Sequence, residues 1–287
     1  MIEEPKVERP ALLQFADRLQ QNGATAGRRI ARVWAARPGL PKRAGIAAVL
    51  GAFLVVATAL RLDAASQYWV ATLHAGPVAF FRFATRFGKS DWLLIPSGLA
   101  VILLLFGAWR RIDRRVAAAW AEIGALLAGF FVAVAGSGIA VDIIKSIIGR
   151  ERPVLFGTDG PFAFVPFSIG FETNGFPSGH ATTMGAVVVF VAALSPGLAA
   201  PVAVLGLIVA VSRVAVQAHY PSDVVAGFLF GAAYAYLVVL SLAAARVGFG
   251  RAADGRPRPR IPALRRLVRR RGIGALFAGL WSALKSG

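Results

Sequence analysis

Ser212-Arg213-Val214-Ala215-Val216-Gln217-Ala218-His219-Tyr220-Pro221-Ser222-Asp223 decides how this chain folds. The stretch closes one hydrophobic run and opens the next. An Arg, a His and an Asp are thereby clustered where a membrane span meets water. Two earlier stretches have the same placement: Lys145 to Pro153, and Pro177-Ser178-Gly179-His180.

Working outward, the composition agrees with a membrane protein. The chain of 287 residues is 57% hydrophobic, with a mean hydropathy of +0.64. Soluble domains average about 45–50% apolar residues. Long apolar runs alternate with short charged connections, the pattern of a polytopic helical membrane protein. Six spans are read: Ala44 to Leu60, Trp92 to Trp109, Val116 to Val141, His180 to Ser195, Leu198 to Val214 and Val224 to Ala245. At 1.5 Å per residue they reach roughly 22–39 Å, against a hydrocarbon core of about 30 Å. The fold class is therefore all-α, a bundle of about six transmembrane helices. Residues 44–245 form the membrane domain, 1–43 an N-terminal segment and 246–287 a basic tail.

The segments outside the spans are read as follows. Leu12 to Val33 is either an amphipathic surface helix or disordered. Met1 to Arg43 has no apolar core, so no cleavable signal is expected. Residues 61–91 mix Tyr68, Trp69 and four phenylalanines with Arg82, Arg86 and Lys89, which suits helices lying in the interface, and His74 reads as one of their amphipathic residues. Glu122, about two turns into the third span, reads as an interfacial acid. Ile261 to Leu284 alternates Arg clusters with apolar residues, as either a helix on anionic lipid or a plain topology signal. There is no cysteine, hence no disulfide and no thiolate metal site.

Charge sets the orientation. The net charge of +18 suggests nucleic acid at first sight. Yet 24 of the 32 Lys/Arg lie in the N-terminal segment, the Arg110–Arg115 turn and the tail. Six spans put those three on one side, cytoplasmic by the positive-inside rule. The basic residues are topology signals, and no nucleic-acid partner is expected. Lys145, Arg152 and Arg213 are on the opposite side, with all three polar stretches.

Those stretches carry phosphate chemistry. Arg presents a planar fork that fits phosphate oxygens, and Lys adds a point charge. Pro177-Ser178-Gly179-His180 precedes a helix, whose first N–H groups bind anions; Gly179 permits close approach and Ser178 adds a hydroxyl. Lys145, Arg152, Ser178, Gly179 and Arg213 are thus phosphate-binding candidates. A neutral His219 can attack phosphorus and form a covalent intermediate. Asp223, four residues on, can fix the imidazole tautomer and stabilise the cation formed. His180 can protonate the leaving oxygen and then activate water. The cations stabilise charge, so no metal or other cofactor is called for. Arg150 and Glu151 fit neither role. Asn174 and Glu172 read as loop residues, and Phe162, Phe164, Phe167, Phe171 and Phe176 as interfacial or lid residues.

Taken together, Lys145-x6-Arg152-Pro153, Pro177-Ser178-Gly179-His180 and Ser212-Arg213-x5-His219-x3-Asp223 resemble the three signatures of the type 2 phosphatidic acid phosphatase family. The resemblance covers residues 145–223 by motif and about 44–245 by span pattern. It implies an acid phosphatase/haloperoxidase-like core and metal-independent hydrolysis, with the roles given above. Soluble acid phosphatases and vanadium haloperoxidases share the motifs but need no bilayer. The expected protein is a multi-pass enzyme of the bacterial inner membrane, with both termini cytoplasmic and its site facing the periplasm. It would act on a lipid phosphomonoester or pyrophosphate, its partners being that substrate and membrane lipids. A silent lipid-binding or lipid-translocating protein, and a lipid phosphotransferase, are the other readings. The intact His180/His219/Asp223 set counts against the first; the second shares the covalent step.

Overall fold

The computed structural model describes residues 11–285. Among the described residues eleven α-helices follow one another: α1 (Ala11–Ala35), α2 (Ala44–Ala71), α3 (Ala75–Ala84), α4 (Asp91–Phe106), α5 (Arg114–Ile148), the single turn α6 (Phe156–Asp159), α7 (Gly179–Leu194), α8 (Ala199–Ala215), α9 (Pro221–Ala244), α10 (Pro262–Arg271) and α11 (Gly274–Lys285). A two-stranded antiparallel ribbon, β1 (Phe249–Arg251) with β2 (Pro257–Pro259), stands between α9 and α10. Five segments are long and apolar enough to cross a membrane: Ala44–Ala71, Ala75–Phe106, Arg114–Ile148, Pro196–Ala215 and Pro221–Ala244. The shorter apolar helix α7 makes the sixth, so the all-α bundle of about six spans stands.

Three spans differ from the sequence reading. The first continues past Leu60 to Ala71, because its polar residues face inward. Thr58, Asp63, Ser66 and Gln67 are buried, while Leu54, Leu60 and Leu62 are exposed. In a bilayer protein polar side chains mark the protein-facing stripe, not the end of the span. The second begins earlier than Trp92. Residues 75–91 hold α3 and a 3₁₀ turn over Thr85–Gly88, and with α4 they make a segment long and apolar enough to cross a membrane. The third extends to Ile148, which puts Lys145 in its last turn instead of in the connection. It stops at Gly149, whose φ of +63° closes the helix, its N–H donating to the Lys145 carbonyl at 2.8 Å.

The chain forms two compact units. The first comprises Met1–Arg37, Pro96–Ala128 and Ser241–Gly287. Its core joins Val116, Ala119 and Trp120 of α5 to Leu267 of α10 and Leu276 of α11. Glu122 is a helix cap: its carboxylate accepts the N–H groups of Ala263 (3.0 Å) and Leu264 (2.9 Å) in the first turn of α10. Trp120 Nε1 donates to the Leu276 carbonyl at 2.9 Å. The basic tail is therefore folded against α5. α1 is a helix as one of its two readings expected, tied by Asn22 Nδ2 to the Leu105 and Gly107 carbonyls and by Arg29 to that of Ala121.

The second unit, Pro38–Ile95 with Gly129–Leu240, contains all three polar stretches. α7 is its centre, buried at every position from Ala181 to Val187. Gly227 and Gly231 of α9 allow the tightest packing against it. A Cβ on either would collide with α7 backbone, at Ser178 and at Thr182 respectively. This Gly-x3-Gly face is how two membrane helices bring their backbones together. It also sets the first turns of α7 and α9 side by side.

Candidate active site

The juxtaposed helix starts are the floor of the site. Ser178 is the N-cap of α7 and fully buried. Its N–H donates to the Asp223 carbonyl at 2.9 Å, joining the α7 and α9 starts directly. Its Oγ accepts the Ala181 N–H at 3.5 Å, so what it can offer an anion is its hydroxyl hydrogen. Gly179 comes next, and a Cβ there would lie 3.6 Å from Lys145 Nζ at the end of α5. The Lys145 ammonium therefore lies beside the helix terminus, and both favour an anion there.

Two arginines complete a ring of cations. Arg152 lies just beyond α5, 7% exposed, its Nη2 donating to the Asn174 carbonyl at 3.3 Å and its guanidinium 3.9 Å from the Phe171 ring centroid. Arg213, in the last turn of α8, is held by a 2.6 Å hydrogen bond from Nη1 to Thr85 Oγ1. The Nε of each is buried, and neither has a hydrogen-bond partner among the described residues. A buried N–H left without an acceptor is costly, and an anionic ligand is the natural acceptor for two of them. Lys145, Arg152 and Arg213 all act electrostatically on one another.

His219 stands within this field, 2% exposed, on the link between α8 and α9. Its Nδ1 is 2.7 Å from the Gly175 carbonyl oxygen. A carbonyl can only accept, so Nδ1 carries the proton and Nε2 keeps its lone pair. Burial, then the charges of Arg213, Lys145 and Arg152, hold its pKa well below the ordinary histidine value. The ring is thereby held neutral and in one orientation. Asp223 was expected to fix this tautomer; the structure gives that task to Gly175. The carboxylate is 3.7 Å from Nδ1, an ionic distance and not a hydrogen bond. Its Oδ2 instead accepts the Tyr220 N–H at 2.8 Å, closing the first turn of α9 as a capping box does. The i,i+4 spacing misled because His219 precedes the helix.

His180, in the first turn of α7, is half-buried and packs against Gly88 of the 3₁₀ turn. A Cβ on Gly88 would stand 2.8 Å from its Cδ2. It lies within electrostatic range of His219, Arg213, Lys145 and Lys89. The structure thus gathers all eight residues singled out from the sequence. It adds three that carry no signature. Thr85 and Gly175 act through one hydroxyl and one backbone carbonyl, which no residue pattern announces. Arg150, which fitted neither role from the sequence, is 3% exposed and paired with Asp63 and Asp223.

A cationic cup around two imidazoles, at one end of a bundle of apolar helices, defines a membrane phosphatase. The PAP2 superfamily matches residues 126–246, the stretch that holds every motif. The lipid A 1-phosphatase of Rhizobium johnstonii is 36% identical over 178 residues, covering 60% of this chain and 71% of that one. That of Rhizobium etli is 38% identical over 179 residues, covering 60% and 75%. The decaprenylphosphoryl-5-phosphoribose phosphatase of Mycobacterium tuberculosis is 36% identical over 165 residues, covering 57% and 79%. Among solved structures, the transmembrane PAP2 type phosphatidylglycerolphosphate phosphatase of Bacillus subtilis aligns with a TM-score of 0.44 at 20% identity, over 66% of this chain and 92% of that one. The chain belongs to the PAP2 superfamily, the type 2 phosphatidic acid phosphatases, and is a multi-pass membrane lipid phosphatase.

Proposed function

We propose that this phosphatase works through a phosphohistidine on His219 and needs no metal. Lys145, Arg152, Arg213, the Ser178 hydroxyl and the backbone at Gly179 hold the phosphate oxygens. His219 Nε2 attacks phosphorus in line as the bond from phosphorus to the lipid oxygen breaks. His180 gives its proton to that departing oxygen. Neutral His180 then takes a proton from water, whose oxygen displaces Nε2 and releases inorganic phosphate. Asp223 stabilises the transient imidazolium from 3.7 Å. One observation carries this reading: the two buried, unpartnered arginine Nε groups border an imidazole whose proton is already tied to Gly175.

The substrate is a lipid whose tail stays in the bilayer while its phosphate enters the cup. The possible headgroups are phosphatidate, phosphatidylglycerol phosphate, undecaprenyl pyrophosphate and the phosphates of lipid A. The two Rhizobium relatives favour the 1-phosphate of lipid A. The distribution of basic residues supports cytoplasmic termini and a site facing the periplasm of an inner membrane.

Purified enzyme in detergent with EDTA should release phosphate from this panel, fastest from lipid A. Release that appears only on adding Mg²⁺ would refute the metal-free mechanism, and a faster rate on another lipid would refute the headgroup assignment. The natural absence of cysteine makes the orientation simple to check. Gln217→Cys should react with an impermeant maleimide in intact spheroplasts; protection until lysis would reverse the orientation.

A further inference from the structure

Asp63 lies on the inward face of α2, fully buried. A carboxylate so placed in an apolar helix needs strong partners. Its Oδ1 accepts the Ser222 N–H at 3.0 Å. Its Oδ2 accepts the Ser222 hydroxyl at 2.5 Å and Arg150 Nη2 at 2.7 Å. Arg150 passes the connection on. Its Nη1 donates to Ser222 Oγ at 2.7 Å and to Asp223 Oδ1 at 2.5 Å. Its Nη2 and Nε donate to the Pro161 carbonyl at 2.6 and 3.2 Å, so each nitrogen of the fork has an acceptor. The guanidinium rests 4.6 Å from the centroid of the Tyr220 ring. Burial works against its charge, yet Asp223 and Asp63 raise its pKa above the ordinary arginine value.

None of this binds substrate, since every donor is taken. What the ladder grips is the start of α9: Tyr220, Ser222 and Asp223, the three residues that follow or flank His219. A second rung grips the other side of the same ring. The Arg150 carbonyl accepts the Gly175 N–H at 2.8 Å, and the Gly175 carbonyl holds His219 Nδ1. Arg150 is thus joined to the nucleophile by both routes, through its side chain to Asp223 and through its backbone to Gly175.

We propose that Asp63 and Arg150 are positioning residues for phosphoryl transfer, a buried ladder from the first span that sets the angle and depth of the His219 imidazole. The proposal rests on His219 being the nucleophile. Without the Asp63 charge, the guanidinium can turn wholly onto Asp223, drawing that carboxylate off the Tyr220 N–H and away from the imidazole. The phosphate-binding groups stay in place, because Lys145, Arg152 and Arg213 share no hydrogen bond with Asp63 or Arg150.

The test compares Asp63→Asn, which keeps the shape and can still accept from Ser222, with Ser222→Ala and His219→Ala. Rates are read against a lipid phosphate in detergent, with orthovanadate affinity and thermal midpoint alongside. Asp63→Asn should lower kcat by about ten- to a hundredfold, the loss seen when a group that orients a metal-binding histidine is removed. KM and the orthovanadate inhibition constant should stay within about twofold of wild type. Ser222→Ala, less disruptive to folding, should lower kcat several-fold with the same unchanged KM. Wild-type kcat in both variants, with His219→Ala inactive, overturns the ladder alone. A loss of orthovanadate affinity in step with kcat also overturns it, since that is general damage to the cup. Full activity in His219→Ala removes the nucleophile assignment itself.

Discussion

Arg150 and Arg152 are two residues apart and both buried, yet they face opposite circumstances. Arg150 has an acceptor for each nitrogen of its fork, two carboxylates among them. Arg152 has one long bond to a carbonyl, an aromatic face above it and a buried Nε with no acceptor among the described residues. The first guanidinium is satisfied by the fold; the second keeps a buried donor unmatched among the described residues, which suits the proposed phosphate. Residue type and burial do not separate the two. What separates them is where the hydrogen bonds go, since a buried donor must be matched by protein or by ligand.

Truncating each arginine should therefore do its largest damage to a different property. Arg152→Ala removes a donor made for the transferring phosphoryl group, and kcat/KM should fall by about 10²–10³. Its thermal midpoint should move little, because only the long bond to the Asn174 carbonyl is lost and no carboxylate is left without its cation. Arg150→Ala leaves Asp63 and Asp223 buried without their cation, which costs about 3–5 kcal/mol of stability. That variant should show a clear drop in thermal midpoint in detergent. If Arg152→Ala were the less stable protein and Arg150→Ala the less active one, the assignment of the two would be reversed. A milder contrast comes from Arg152→Lys. It keeps the charge but loses the planar fork, so about tenfold should be lost in kcat/KM.

The smallest effect is on pH. On the proposed mechanism His219 must be neutral to attack, and burial with the fields of Arg213, Lys145 and Arg152 lowers its pKa. Activity controlled by this group is present above that lowered pKa and is lost as pH falls through it. The acid limb of kcat/KM should therefore lie below the ordinary histidine value of about 6.5. Arg152→Gln removes one of those fields and should move the limb upward. A limb that stays in place, or moves down, would contradict the electrostatic account of the cup.

Much of this was legible in the chain, and the parts that were not share a cause. Lys145, Arg152, Ser178, Gly179, His180, Arg213, His219 and Asp223 are spaced as a phosphate site requires, and they converge. The spans themselves were legible, but not all of their ends: the third runs on to Gly149 instead of stopping at Val141, and the sixth starts at Pro221 instead of Val224. Asp63 was hidden because an acid beside Arg61 looks like the end of a span, and only tertiary packing shows that it faces inward. Gly175 was hidden because it acts through a carbonyl, which every residue has. Asp223 was recognised as important, but its hydrogen bonds run to Arg150 and the Tyr220 N–H, since the helix that would have aligned it with His219 begins after that residue. Glu122 likewise became a cap for α10 through a contact 141 residues away in sequence.

The central claim is that phosphorus passes through His219. Rapid quenching of the enzyme with a ³²P-labelled lipid phosphate, followed by peptide mapping, reads it directly. The account predicts label that is stable in alkali, labile in acid and confined to His219, and its disappearance in His219→Ala. Label on any other residue, or undiminished turnover in His219→Ala, would contradict it.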